Sequence, residues 1–253
     1  MIYLKTYLFT PRLPIIINGF DLIALGSEHG KKTIVNSTKL RGSTVVSAGV
    51  GEDISFDIEL INAFETKVFL VDPTMKAMSH FENVIANLGV EGSQIYTATG
   101  TQDIQSYDLL RVKRSHLNFI PMALWEEDGL IEIFAPLDAS HSSFSVHDLQ
   151  RSGVGLKVGS CTMESLLKNH NIAIPSMVKL DIEGSGLEVC KKMFADQIFP
   201  NQIVIEIEEL SYPSFKNMLR AKTLFKLFKE FEYVCVNRST SDFTFVHQSM
   251  PTK

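Results

Sequence analysis

The chain has 253 residues, 45% of them hydrophobic and 21% charged, a globular balance that excludes wholesale disorder. With 24 Lys and Arg against 29 Asp and Glu, the formal net charge is −5, so a cationic face tracking a nucleic-acid backbone is not expected. Cys161, Cys190 and Cys235 show no CxxC spacing, which excludes a disulfide framework and a zinc ribbon and suits a reducing cytoplasm. The opening MIYLKTYLFTPRLPIII is apolar but split by Pro11, Arg12 and Pro14, without a small-residue cleavage site. No run of eighteen apolar residues follows, and a soluble cytoplasmic protein is expected. Residues 1–40, with turn formers Gly26 and Gly30, read as a short helical cap on a single domain covering 41–250.

From Thr44 onward strand-like and helix-like patterns alternate. TVVSA (44–48) is the first strand, and DISFDIELINAF (53–64) is a helix with Ile54, Ile58, Ile61 and Phe64 near helical spacing. KVFLVD (67–72) is a strand and MKAMSHFENVIANL (75–88) an amphipathic helix. Residues 89–116 read as loop. LNFIPM (117–122) and GLIEIF (129–134) follow as strands, the second half-exposed, and residues 138–160 read as a lid-like loop. Next come helix 161–170, strand SMVKLDI (176–182), helix 185–194, strand QIVIEIE (202–208) and a long helix 213–231. YVCVN (233–237) and FTFVH (243–247) should close the chain as a hairpin. Such alternation predicts an α/β fold with right-handed crossovers and helices on both faces of a seven-stranded mixed sheet. The last strand is expected to insert antiparallel.

The segment SAGVGEDISFD (47–57) is strand, tight turn, helix, with Gly49 and Gly51 where a ligand can approach the backbone. Asp72 ends the next strand, 21 residues after Gly51, at the position of an acid that accepts ribose hydroxyls. A pyrophosphate needs the bare, positive amino end of a helix, yet Glu52 and Asp53 stand there with Asp57 one turn on. First-turn acids also simply offset the helix dipole. A cofactor carrying ammonium and sulfonium groups, S-adenosylmethionine, suits the acids better than a nicotinamide dinucleotide.

A second acidic constellation lies at VKLDIEGSGLEV (178–189), where Asp181 ends a strand and Glu183 points to the same side. Glu206 and Glu208 repeat the spacing in QIVIEIEE (202–209). These carboxylates could act as general base, polyol partner, ligand of a hard cation or solvated turn acids; a metal-free site is preferred. Burial would raise the pKa of such a base toward the working pH. No HxxxH or HExxH pairing and no GxSxG elbow occurs, so zinc and serine-hydrolase chemistry are not supported. His141 and Ser143, in the lid-like loop, are candidate substrate contacts, while Trp125 reads as a core anchor or an adenine neighbour.

Together SAGVGEDISFD, VFLVDPT (68–74), MALWEEDG (122–129), VKLDIEG (178–184) and IVIEIEE (203–209) resemble the FkbM family of S-adenosylmethionine-dependent methyltransferases over residues 40–240. The resemblance implies the class I methyltransferase (Rossmann-like) fold and O-methylation of a sugar, glycan or secondary-metabolite hydroxyl. It implies cofactor contacts at Gly49, Gly51 and Asp72, extended here to Ser47, Val50, Glu52, Asp53, Pro73, Ala123 and Leu124. Asp181, Glu183 and Glu206 become catalytic candidates, with Glu208, His141 and Ser143 toward the acceptor. Where many members carry DxGANxG, this chain has SAGVGED, so Ser47 replaces an acid and Glu52 or Asp53 would compensate. The rival readings are a nicotinamide-dependent oxidoreductase and a non-catalytic binding module of the same fold. Homo-oligomerisation is compatible with either.

Overall fold

The computed structural model describes residues 15, 19–135, 144–146, 153, 155–212 and 214–250. Strands β1 (Leu22–Leu25) and β2 (Lys32–Val35) pair antiparallel as a hairpin. Thus the described part of the expected helical cap is extended chain: LIAL and KTIV are too short to show helical periodicity, and the turn glycine Gly26 sits at φ +98°. A single 3-10 turn, Thr38–Leu40, leads into the main sheet.

The core strands are β3 (Thr44–Ala48), β4 (Lys67–Val71), β5 (Leu117–Ile120), β9 (Met177–Leu180) and β10 (Gln202–Glu206). All run parallel. Strands β11 (Tyr233–Ser239) and β12 (Asp242–His247) complete a seven-stranded sheet of order β11-β12-β10-β9-β3-β4-β5. Strand β12 lies antiparallel between β10 and β11, as the closing hairpin implied. Its turn is shorter than expected because both strands extend inward, to Ser239 and Asp242.

Helices α1 (Ser55–Phe64), α2 (Met75–Ala86), α3 (Met163–Asn169), α4 (Gly186–Ala195) and α5 (Phe215–Glu230) cover the sheet. Thr74, Thr162 and Ser214 cap α2, α3 and α5, each hydroxyl accepting a backbone N–H three residues on; this satisfies donors that a helix start leaves open. Two apolar clusters fill the two faces. Phe56, Ile58, Leu60, Ile61 and Val84 pack on one. Leu187, Met193, Phe194, Leu224 and Phe228 pack on the other.

Three further strands lie apart from the main sheet. Strands β6 (Ala123–Leu124) and β7 (Gly129–Phe134) flank β8 (Gly155–Cys161). The half-exposed 129–134 strand therefore belongs to a side sheet. Strand β8 occupies the end of the segment read as a lid, where GLKVGSC is mostly solvent-facing and contains two glycines that hide its strand pattern. The remainder of the 138–160 loop falls largely outside the described residues. Among these, no helix is long and apolar enough to cross a membrane.

Candidate active site

The parallel strands reverse order beside β3, with β4 on one side and β9 on the other. Ligands bind at such a switch point outside the strand carboxyl ends. A cleft of about 840 Å³ opens there, lined on one wall by the turn Gly49–Gly51 and on another by Asp181, Glu183, Glu206 and Glu208.

Gly49 has φ +73°, and a Cβ on it would lie 1.7 Å from the Asp181 carbonyl oxygen. Only glycine lets the turn press against the end of β9. Asp72, 5% exposed, holds this turn from the other side. One carboxylate oxygen accepts the Val50 and Gly51 N–H groups, each at 3.0 Å; the other accepts the Thr74 N–H at 2.9 Å and its hydroxyl at 2.6 Å. The acid expected to wait for a ribose is thus already engaged as the tie of the turn, while still facing the cleft beside Pro73.

Asp53 lines the cleft and is held by Ser27 Oγ at 2.6 Å, Gln102 Nε2 at 3.2 Å and the Ser55 N–H at 3.0 Å. Glu52 does not line it; its backbone pairs with Thr101. Ser47 is also absent from the lining. Fully buried under the turn, it lies against Asp57, whose carboxyl burial pushes up to about 6. Side chains alternate along β3, and the residue that would place an ammonium-gripping acid points into the core here. Val50, Ala123 and Leu124 do line the cleft, with Ile133, Phe144 and Val146 adding apolar surface. Trp125 is not part of that lining. His141 and Ser143 lie outside the described residues.

The acidic wall is more structured than its spacing suggests. Lys32 Nζ, from β2, sits 3.1 Å from Asp181 Oδ2 and 2.5 Å from Asp242 Oδ1, and Lys179 Nζ lies 3.5 Å from Asp181. Burial opposes the Asp181 charge, but the two ammonium groups outweigh it and hold the carboxyl far below its ordinary value. Of the candidate bases, Asp181 is thus held in its ionised form by cations, which weakens it as a proton acceptor. Its neighbour Glu206 moves the other way, pushed up to about 9 by the Asp181 charge and by burial. It shares a hydrogen bond with Asp181 and accepts one from Ser241 Oγ at 2.9 Å. Glu208, 9% exposed, is pushed up to about 8 by burial and by Glu183. Glu183 itself takes a left-handed φ of 48° in the turn after β9.

Sequence reasoning missed Lys32, Lys179, Asp242 and Tyr212, all of which line the cleft. Lys179 was available to it, standing two residues before Asp181 on the same side of an extended strand. Lys32 and Asp242 carried no local signal, because 210 residues separate them. Among the described residues no group of three His, Cys, Asp or Glu side chains is placed to hold a metal ion.

Comparison with known proteins identifies a methyltransferase FkbM domain over residues 36–234. No curated protein matches the chain significantly. Solved structures give weak likenesses. One is a protein assigned as a caffeoyl-CoA O-methyltransferase from Staphylococcus aureus, at 7% identity and TM-score 0.42, covering 80% of this chain and 74% of that one. Another is a fibrillarin/Nop5p complex, at 9% identity and TM-score 0.41, covering 92% and 99%. The Methanococcus jannaschii fibrillarin pre-rRNA processing protein gives 9% and 0.40, covering 92% and 84%. Likenesses at this level carry no argument about the acceptor.

Proposed function

Because this chain belongs to the FkbM methyltransferase family, with the class I sheet order, we propose that it is an S-adenosylmethionine-dependent O-methyltransferase acting on a hydroxyl of a sugar-like acceptor. The donor set fits that cofactor. Asp53, Asp72, Asp181 and Glu183 face the cleft with Lys32 and Lys179, an acid-rich lining that favours a ligand bearing ammonium and sulfonium groups. Val71, Ala123, Leu124 and Ile133 supply apolar wall for a purine. A dinucleotide fits less well, since the Val50 and Gly51 N–H groups a pyrophosphate would need already donate to Asp72. When bound, the cofactor supplies an electrophilic methyl group.

The chain's own residues orient the acceptor and take its proton. Glu208, Glu183 and Tyr212 line one end of the cleft, and carboxylates and a phenol suit hydroxyl recognition. The observation that carries the reading is the placement of Glu208, a largely buried carboxyl on the cleft lining beside Glu183 and Tyr212, which burial raises to about 8. A base near the operating pH accepts a proton most effectively, so Glu208 takes the hydroxyl proton as the oxygen receives the methyl group. Ionised Asp181 contributes charge and position, and catalysis otherwise comes from holding the reactants together.

Calorimetry with S-adenosylhomocysteine, followed by transfer of labelled methyl groups into a panel of glycans and amines, tests this. Binding together with methylation of a sugar hydroxyl is expected. Transfer to amines alone would overturn the acceptor class, and preferential binding of NAD would overturn the cofactor.

A further inference from the structure

We propose that Lys32, carried by the β1–β2 hairpin ahead of the family-matched segment, is a positioning residue of the transfer site, clamping Asp181 to Asp242 across the floor of the cleft. The inference rests on the methyltransferase reading and adds to it a part that lies outside residues 36–234. The hairpin is built into the site. Ser27 donates to Asp53 at 2.6 Å, its own N–H donates to Ser55 Oγ at 2.7 Å, and the Gly26 N–H donates to Glu59 at 2.7 Å. His29, Gly30 and Lys32 all reach the cleft lining.

Lys32 is 3% exposed. Taking an ammonium out of water is costly unless charges compensate it, and here they come from two strands, Asp181 after β9 and Asp242 on β12. Glu206 on β10 also faces Lys32, and Lys179 on β9 donates to the Gly49 carbonyl at 2.9 Å while approaching Asp181. Asp57 also faces Lys179, and Glu206, whose pKa is raised by the Asp181 charge and by burial, keeps its proton beside Asp181. Lys32 thereby acts through Asp181: it fixes that carboxylate in place and leaves Glu206 as hydrogen-bond donor to it. The second half of the clamp, Asp242, and the Glu206 partner Ser241 also follow the matched segment. The site therefore depends on both flanks of the family domain.

The test uses the full chain as wild type, Lys32→Met and Lys32→Arg. Carboxyl-carbon NMR of the wild type should show Asp181 ionised throughout, with no titration near the ~3.9 of a free aspartate. In Lys32→Met, which removes one of its two cations, Asp181 should take up its proton at a higher pH than in the wild type. Turnover should fall about 10²-fold, the scale on which ångström misplacement acts, a larger factor than any loss of S-adenosylhomocysteine affinity. Lys32→Arg, which keeps the cation, should retain part of that turnover. An ordinary Asp181 titration in the wild type overturns the clamp even if Lys32→Met fails to fold. So does a folded Lys32→Met variant with unchanged turnover and unchanged titration, or one whose loss arginine does not relieve. If the wild type does not bind S-adenosylhomocysteine, the cofactor reading falls, and the NMR titration still decides the clamp.

Discussion

A Cβ at position 49 would meet a backbone carbonyl that cannot swing aside, and the left-handed φ adds its own cost for any L side chain. Gly49→Ala should consequently destabilise the whole domain by roughly 3 kcal/mol or more, at the upper end of single substitutions, as read by chemical denaturation. This changes the meaning of the glycine turn. From sequence it reads as a place for a ligand to approach, whereas in the structure the nearest atoms belong to Asp181. Glu208 invites a different experiment. With its carboxyl raised to about 8, turnover should climb with pH through that value as the base ionises. Glu208→Gln should lower turnover by about 10²–10⁴-fold and abolish that limb of the pH–rate profile. A profile unchanged in Glu208→Gln would move the base elsewhere.

Between the elements, Arg220 on α5 is the main polar fastener. Its guanidinium grips Glu188 of α4 with two bonds of 2.6 and 2.8 Å, Glu209 at 2.9 Å and the Gly184 carbonyl at 2.7 Å. These contacts hold the turn after β9 and the residue beside Glu208 against the same helix. Arg220→Ala would remove this cation from largely buried carboxylates, a change that costs about 3–5 kcal/mol in buried pairs; thermal denaturation should show that loss, and acceptor KM should rise with it. How far the elements could be read in advance follows from their chemistry. The core strands announced themselves as β-branched runs such as TVVSA and KVFLV, and the helices as periodic stretches. Strand β8 and the β1–β2 hairpin did not, because short or glycine-containing strands on partly wet surfaces carry no period. KLDIEG brought Lys179, Asp181 and Glu183 together within one local motif. The second ammonium acting on Asp181, that of Lys32, came from a segment whose relation to it exists only in three dimensions.

Across the whole molecule, buried acids set the response to pH. Asp57, Glu206 and Glu208 have values raised to about 6, 9 and 8, so the folded chain keeps protons that the unfolded chain releases above its ordinary carboxylate values. Their stabilisation is complete below those ordinary values and is lost as pH rises through the folded ones. Asp181, depressed by its lysines, has the opposite sign: its contribution is present above the ordinary 3.8 and is lost as pH falls further. Mildly acidic solution should therefore give the highest Tm, and melting at about pH 9 should occur below melting at about pH 5. An alkaline optimum would contradict this. The threading of β12 between β10 and β11 has one more consequence, and it concerns time. That strand can pair locally with β11, but it joins the sheet only when β10 is there to receive it, and contacts between distant segments form slowly because loop closure must precede them. The Lys32–Asp242 contact, spanning 210 residues, is among the last a folding chain can make. A polypeptide interrupted before Asp242 would hold every residue of the FkbM-matched segment and still lack a finished floor to its cleft.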